Sequence, residues 1–292
     1  MFQGNFVAIV TPFRNGSVDE KALVALVERL IDAGAQGFVP CGTTGESATL
    51  THEEHARVVS ITIEAVRKRV PVLAGTGSNS TAEAIRLTRH AKEAGADGAL
   101  MITPYYNKPT QEGIFRHFEA VAKAVELPIV VYNIQGRTAI NIEPTTMERL
   151  SRVPGIVGVK EASGSLGQVS EVIERCGPGF DVLAGDDNLT LPIIAIGGRG
   201  VISAAANVLP REMTDVSDAA LAGDLKRARE VHYRIAPVLR ALFVETNPVP
   251  VKTALALMGW IPSEEVRLPL APMSSANRDK LVQALAAAGL VR

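Results

Sequence analysis

The sequence predicts an α/β fold: a (β/α)8 TIM barrel with a C-terminal helical extension. Three observations predict it. Eight short apolar, often β-branched runs are spread over the first two hundred residues of the 292-residue chain, amphipathic helical patterns separate them, and beyond Pro210 the strand pattern stops while helical patterns continue. Apolar runs of about four to seven residues read as strands buried on both faces, the pattern of a parallel sheet. Eight regular units favour a closed barrel over a doubly wound open sheet.

The expected strands are residues 6–11, 37–41, 70–76, 97–103, 127–133, 155–161, 180–186 and 200–203. Between the first two, Leu23, Leu26, Val27, Leu30 and Ala33 line one face of a helix, and Gly34 stops it. Thr51 with Glu54 forms a T-x-x-E capping box ahead of Val58, Val59 and Thr62. The extension is expected as helices over 211–222, 224–244, 248–259 and 276–289. Asn247-Pro248-Val249-Pro250 and Leu268-Pro269-Leu270-Ala271-Pro272 mark turns within it. The division expected is a catalytic barrel over 1–224 and a helical extension over 225–292.

Composition narrows the function classes. The 30 Lys+Arg against 31 Asp+Glu leave a net charge of −1, which argues against a nucleic-acid partner, since such domains carry a basic excess. The 2 cysteines, Cys41 and Cys176, make neither a disulfide framework nor a cysteine-rich zinc site. The N-terminal segment lacks a basic stretch of the signal-peptide kind, and no apolar run reaches the roughly 18–20 residues of a membrane span. The expectation is a cytoplasmic protein with no membrane partner.

Barrel enzymes gather their functional groups at the C-terminal ends of the strands. There the sequence offers mostly hydroxyls and glycines, and one cation stands out. Of 9 lysines, Lys160 alone ends an apolar strand. Burial disfavours an ammonium, so such a lysine becomes a nucleophilic amine able to attack carbonyls. The competing reading is a structural pairing with Glu161, although that residue alternates to the other face. Lys108 and Lys252 read as solvated. Gly42-Thr43-Thr44-Gly45-Glu46-Ser47 is a small-residue turn whose N–H groups and hydroxyls can hold a carboxylate. Gly75-Thr76-Gly77 reads as a tight turn.

Tyr105, Tyr106 and Tyr132, three of only 4 tyrosines, sit at strand ends, where a phenol can relay protons or simply pack. Arg137 lies in a loop where its guanidinium could clamp a carboxylate. His52 and His55 have the wrong spacing for a catalytic zinc site and read as a solvated helix start. Cys41 reads as a small buried residue, and Asp186-Asp187 as the cap of the next helix.

Together these residues resemble the dihydrodipicolinate synthase family, within the pyruvate-dependent class I aldolases that include N-acetylneuraminate lyase. The likeness runs from about residue 2 to 290. It is carried by Gly-Thr-Thr-Gly-Glu (42–46), Thr-Pro-Tyr-Tyr-Asn (103–107), Tyr-Asn-x-x-x-Arg-Thr (132–138), Val-Lys-Glu-Ala (159–162), Gly-Asp-Asp (185–187) and Asn-Pro-x-Pro-x-Lys (247–252). The resemblance implies a lyase in which Lys160 forms an imine with pyruvate. The resulting enamine then attacks L-aspartate 4-semialdehyde, in lysine biosynthesis by way of diaminopimelate.

The resemblance also implies residue roles. Thr43, Tyr106 and Tyr132 would form the proton relay, with Tyr106 reaching in from a neighbouring subunit. Thr43 and Thr44 would hold the pyruvate carboxylate and Arg137 that of the semialdehyde, while Gly185 and Ile202 line the site. Ser47, Ala48, His52, His55, Asn79, Glu83 and Tyr105 match a site for the feedback inhibitor L-lysine. A homotetramer of tight dimers is implied, with no cofactor and no metal, the lysine itself being the electron sink. Where many members have proline, this chain has Gln135, which restores a backbone donor and predicts a differently seated Arg137 loop. Two alternatives remain open: an aldolase for a 2-keto-3-deoxy sugar acid or N-acetylneuraminate, and a non-catalytic keto-acid or lysine sensor.

Overall fold

The computed structural model describes residues 1–291. Eight parallel strands form the barrel: β1 (Gly4–Val7), β2 (Gly37–Phe38), β3 (Leu73–Gly75), β4 (Gly98–Ile102), β5 (Ile129–Asn133), β6 (Ile156–Glu161), β7 (Asp181–Ala184) and β8 (Gly200–Ser203). Their order around the sheet is β2-β1-β8-β7-β6-β5-β4-β3. A parallel bridge between Phe38 and Val72 joins the last two edges, and the Gly75 N–H donates to the Pro40 carbonyl at 2.9 Å. The ring is closed.

Helices α1 (Glu20–Asp32), α2 (His52–Val66), α3 (Thr81–Ala94), α4 (Gln111–Ala124), α5 (Pro144–Ser151), α6 (Leu166–Cys176), α7 (Thr190–Ala195) and α8 (Pro210–Leu221) follow the successive strands. The Thr51–Glu54 capping box opens α2 as expected. The extension comprises α9 (Leu225–Leu242), α10 (Val249–Leu257) and α11 (Ser275–Ala287), close to the expected spans. Both proline-rich joints contain a cis peptide, at Asn247-Pro248 and Leu268-Pro269. No helix among the described residues is long and apolar enough to cross a membrane.

Strand alternation divides the core into two layers. Phe6, Val39, Leu73, Leu100, Val130, Tyr132, Leu183 and Ile202 pack inside the barrel. Their neighbours in sequence, among them Val7, Phe38, Ala74, Ile129, Val131 and Val159, pack outward against the helices. Because Val159 faces out, Lys160 faces in. Glu161 returns to the outer face, where Asn133 Nδ2 (3.2 Å) and the Ser163 N–H (2.9 Å) donate to it.

Two local features depart from expectation. The first strand ends at Val7, earlier than anticipated, although the Ala8 and Ile9 N–H groups still bond to Ser203 and Val39. A small hairpin pairs Phe13–Arg14 with Ser17–Val18 ahead of α1. Its turn is Asn15-Gly16, both with positive φ (53° and 80°). That dipeptide is the residue pair such a two-residue turn prefers, and it was the available signal.

Candidate active site

The barrel mouth holds a cavity of about 470 Å³ lined by strand ends, the β2–α2 turn and the start of α10. Lys160 and Tyr132 are register partners on β6 and β5, both at the C-terminal ends of their strands. Lys160 is only 6% exposed, and its Nζ lies 4.3 Å from the centroid of the Tyr132 ring. Burial pulls the Lys160 ammonium down to about 8, partly offset by the negative charges of Asp187 and Asp186. Burial pushes the Tyr132 phenol up, opposed by the Arg137 charge and by the adjacent Thr43 side chain. A fraction of free amine near neutrality, with no ion pair to Glu161, is what a carbonyl-attacking lysine requires.

The turn after β2 is tightly folded. The Gly45 N–H bonds to the Gly42 carbonyl (3.1 Å) and the Glu46 N–H to the Thr43 carbonyl (3.1 Å), and Cys41 and Glu46 both take left-handed φ. Gly75 packs so close to this turn that a Cβ there would overlap the Cys41 carbonyl, which explains a glycine at that strand end. Cys41 is buried, as expected, and burial pushes its thiol up, so it is no nucleophile.

Asn247 ties Thr44 and Arg137 together. Its Nδ2 donates to Thr44 Oγ1 (2.9 Å), and its backbone carbonyl accepts from Arg137 Nη2 (3.2 Å). Sequence reasoning quoted its motif but gave Asn247 itself no role. Arg137 is exposed at the cavity, on a one-turn helix (Gln135–Thr138) after β5. Gln135 is the first residue of that turn, where an N–H has no intrahelical partner and proline is equally compatible. The displaced loop expected from Gln135 thus has no local cause.

Three readings are corrected. Lys252 is not solvated: it is fully buried, its Nζ 2.7 Å from Glu46 Oε1. Asp187 caps no helix; it is buried and accepts from Ser203 Oγ and the Ala205 N–H. Its charge acts on Lys160 without forming an ion pair, and burial raises its pKa to about 6. Asp186 makes no side-chain cap either. His55 is buried with Nε2 2.9 Å from the Gly75 carbonyl, its imidazolium pushed down to about 4 by burial. His52 remains exposed as expected.

The same cavity extends toward α2 and α3. Ser47, Ala48, His52, His55, Glu83 and Tyr105 line this lobe. Glu83 Oε1 lies 3.2 Å from His52 Nε2, and its other oxygen accepts from Ser78 Oγ. Asn79 is set back from the cavity lining and donates to the Tyr105 carbonyl at 3.1 Å. Gly185 and Ile202 flank the barrel interior: Ile202 is buried, and a Cβ on Gly185 would lie 2.6 Å from that of Ala162. Tyr106 stands apart, 90% exposed with φ 73°. Within one chain, Thr43 and Tyr132 come together and Tyr106 does not join them.

A sequence profile described as that of the dihydrodipicolinate synthetase family matches residues 1–288. The chain belongs to this family. It is 58% identical, over 100% of both chains, to a 4-hydroxy-tetrahydrodipicolinate synthase of Syntrophobacter fumaroxidans. Among solved structures, it is similar to the chloride-inhibited dihydrodipicolinate synthase of Acinetobacter baumannii in complex with pyruvate, at 45% identity, TM-score 0.98 and 100% coverage of both chains. It is also similar to the enzyme of Cyanidioschyzon merolae with lysine bound, at 41% identity, TM-score 0.96 and 99% coverage of both. The barrel with its C-terminal helices is thus this family's fold.

Proposed function

We propose that the chain is a 4-hydroxy-tetrahydrodipicolinate synthase, a lyase condensing pyruvate with L-aspartate 4-semialdehyde at the first committed step of diaminopimelate and lysine biosynthesis. The observation that carries this reading is the buried Lys160 amine facing Tyr132 inside the barrel mouth. The neutral Nζ attacks the pyruvate carbonyl carbon, and water leaves to give the imine. The imine is itself the electron sink, so no metal or organic cofactor is needed. It acidifies the pyruvate methyl group, whose proton passes to the Thr43, Tyr132 and Tyr106 relay. The enamine then attacks the aldehyde carbon, and the alkoxide recovers a proton from the same relay. The semialdehyde's own amino group then adds to the imine carbon, closing the ring as the bond to Lys160 Nζ breaks and the free amine is regenerated.

Thr43 and Thr44 hold the keto acid's carboxylate through their turn, and Arg137 that of the semialdehyde, with Gly185 and Ile202 shaping the walls. Barrel residues 1–224 carry the chemistry, while extension 225–292 supplies Asn247 to the mouth. The molecule works as a cytoplasmic homotetramer built from tight dimers. The exposure of Tyr106 supports its service to a neighbouring subunit. Sedimentation velocity checks the assembly. The second lobe is the inhibitory site for L-lysine, with Glu83 offsetting the ammonium; the lysine-bound relative supports this.

Incubation with pyruvate and borohydride tests the central claim: mass spectrometry should find a reduced pyruvyl adduct on Lys160. No adduct would overturn the imine mechanism and favour a sensor. Turnover with a sugar aldehyde and none with aspartate semialdehyde would favour the sugar-acid aldolase.

A further inference from the structure

Glu46 and Lys252 form a buried ion pair that the reaction itself does not use. Lys252 is 0% exposed and its partner carboxylate nearly so, yet 206 positions separate them. A buried pair of this kind contributes little net stability, because the desolvation of both charges offsets their attraction. Its better-attested use is to specify one arrangement of the chain, and the arrangement here is a demanding one.

Backbone bonds close the turn from Gly42 to Gly45, and Thr11 Oγ1 donates to the Gly45 carbonyl at 2.7 Å, but none of these bonds engages the Glu46 side chain. Glu46, at its end, holds φ 54°, a conformation that costs a side-chain-bearing residue energy and persists only where its surroundings impose it. The bonds to its carboxylate come from the extension. Lys252 Nζ donates to one Glu46 oxygen at 2.7 Å, and the Arg267 N–H donates to the other at 3.1 Å. The Phe13 ring contacts both cations, its centroid 4.1 Å from Lys252 Nζ and 4.4 Å from the Arg267 guanidinium. Arg267 Nη1 also donates to the carbonyl of Thr49, the last residue of the 3-10 turn Ser47–Thr49, at 2.9 Å.

We infer that Glu46 and Lys252 are positioning residues: their ion pair holds the Thr43–Thr44 turn in the shape that receives the keto acid's carboxylate. The inference rests on the imine-forming reading of the site. Because Glu46 sits between Thr44 and Ser47, the same pair also holds the floor of the second lobe.

Two variants test it in the full-length protein. Glu46→Gln keeps the side chain's volume but removes the charge and turns one of its two acceptor oxygens into a donor, so only one of the bonds from Lys252 and the Arg267 N–H survives. Glu46→Gln with Lys252→Met removes both charges, so no charge is left buried alone. The expected result in whichever folds is a pyruvate KM raised about tenfold, with kcat changed less than about threefold, since ground-state positioning is lost while Lys160 is intact. The concentration of L-lysine giving half inhibition should rise by a similar factor. An unchanged pyruvate KM beside a lowered Tm would mean a merely structural pair and overturn the inference. Borohydride trapping on the unmodified protein separates this failure from that of the underlying reading. An unmodified protein that traps pyruvate and variants with normal KM sink only the present claim, whereas no trapping at all sinks both.

Discussion

Tyr132 and Lys160 face each other as register partners on adjacent strands, with the amine 4.3 Å from the phenol ring's centroid. Strand alternation alone brings the pair inward, since Val131 and Val159 point to the helices. The two side chains proposed as nucleophile and proton carrier are therefore fixed by the sheet and not by a loop.

Replacing the amine should end turnover. Lys160→Ala is expected to lose at least about a thousandfold in kcat and to give no pyruvyl adduct after borohydride. Circular dichroism should show the barrel retained. Wild-type rates in this variant would rule out the imine.

The rate of imine formation should carry the signature of the depressed amine. Only neutral Lys160 attacks, so single-turnover trapping should rise with pH and level off above about 8. Asp187 holds that value up through its charge, so Asp187→Asn should move the midpoint to lower pH. The stability linkage has a definite sign. Between about 8 and the ordinary 10.5 the unfolded chain binds more protons at this site than the folded one. Lys160 therefore makes stability rise with pH across that window. Chemical denaturation at several pH values, compared with Lys160→Met, measures the contribution.

Arg137→Ala should separate the two substrates. A loss of roughly a hundredfold in kcat/KM for aspartate semialdehyde is expected, with pyruvate trapping nearly unchanged. Equal losses for both would mean that the guanidinium mainly supports Asn247, whose carbonyl it contacts at 3.2 Å.

Glu83→Gln should weaken inhibition by L-lysine about tenfold or more, a change of about 1.4 kcal/mol in binding. Turnover without lysine should be preserved. Calorimetric titration with lysine reads this directly, and an unaltered affinity would remove Glu83 from the site.

Gly75→Ala is a stability test at the cavity wall, against the turn that carries Thr43 and Thr44. Its new methyl would meet the Cys41 carbonyl, a backbone atom that cannot swing aside, so a cost of about 1–3 kcal/mol is expected in urea unfolding.

The barrel, its extension and the inward lysine were legible because period-two patterns and strand ends are local properties. What stayed hidden depends on partners far away in sequence. Lys252 reads as a solvated residue near a helix start until Glu46 is folded against it, and nothing near position 252 announces that contact. His55 shares its helix start with the exposed His52, and one helical turn decides which of them meets the Gly75 carbonyl. Asp187 resembles a helix cap, whereas its acceptor oxygens serve the loop after β8. Asn247 was passed over because an amide within a proline-rich joint looks like ordinary turn chemistry.

The links from the β2–α2 turn to the extension also bear on how the protein is made. Thr44, Glu46 and Glu54 wait for Asn247, Lys252 and Arg267, which leave the ribosome some two hundred residues later. A chain ending near residue 242 has all eight strands but lacks Asn247, Lys252 and Arg267, the groups that tie down the turn at its mouth.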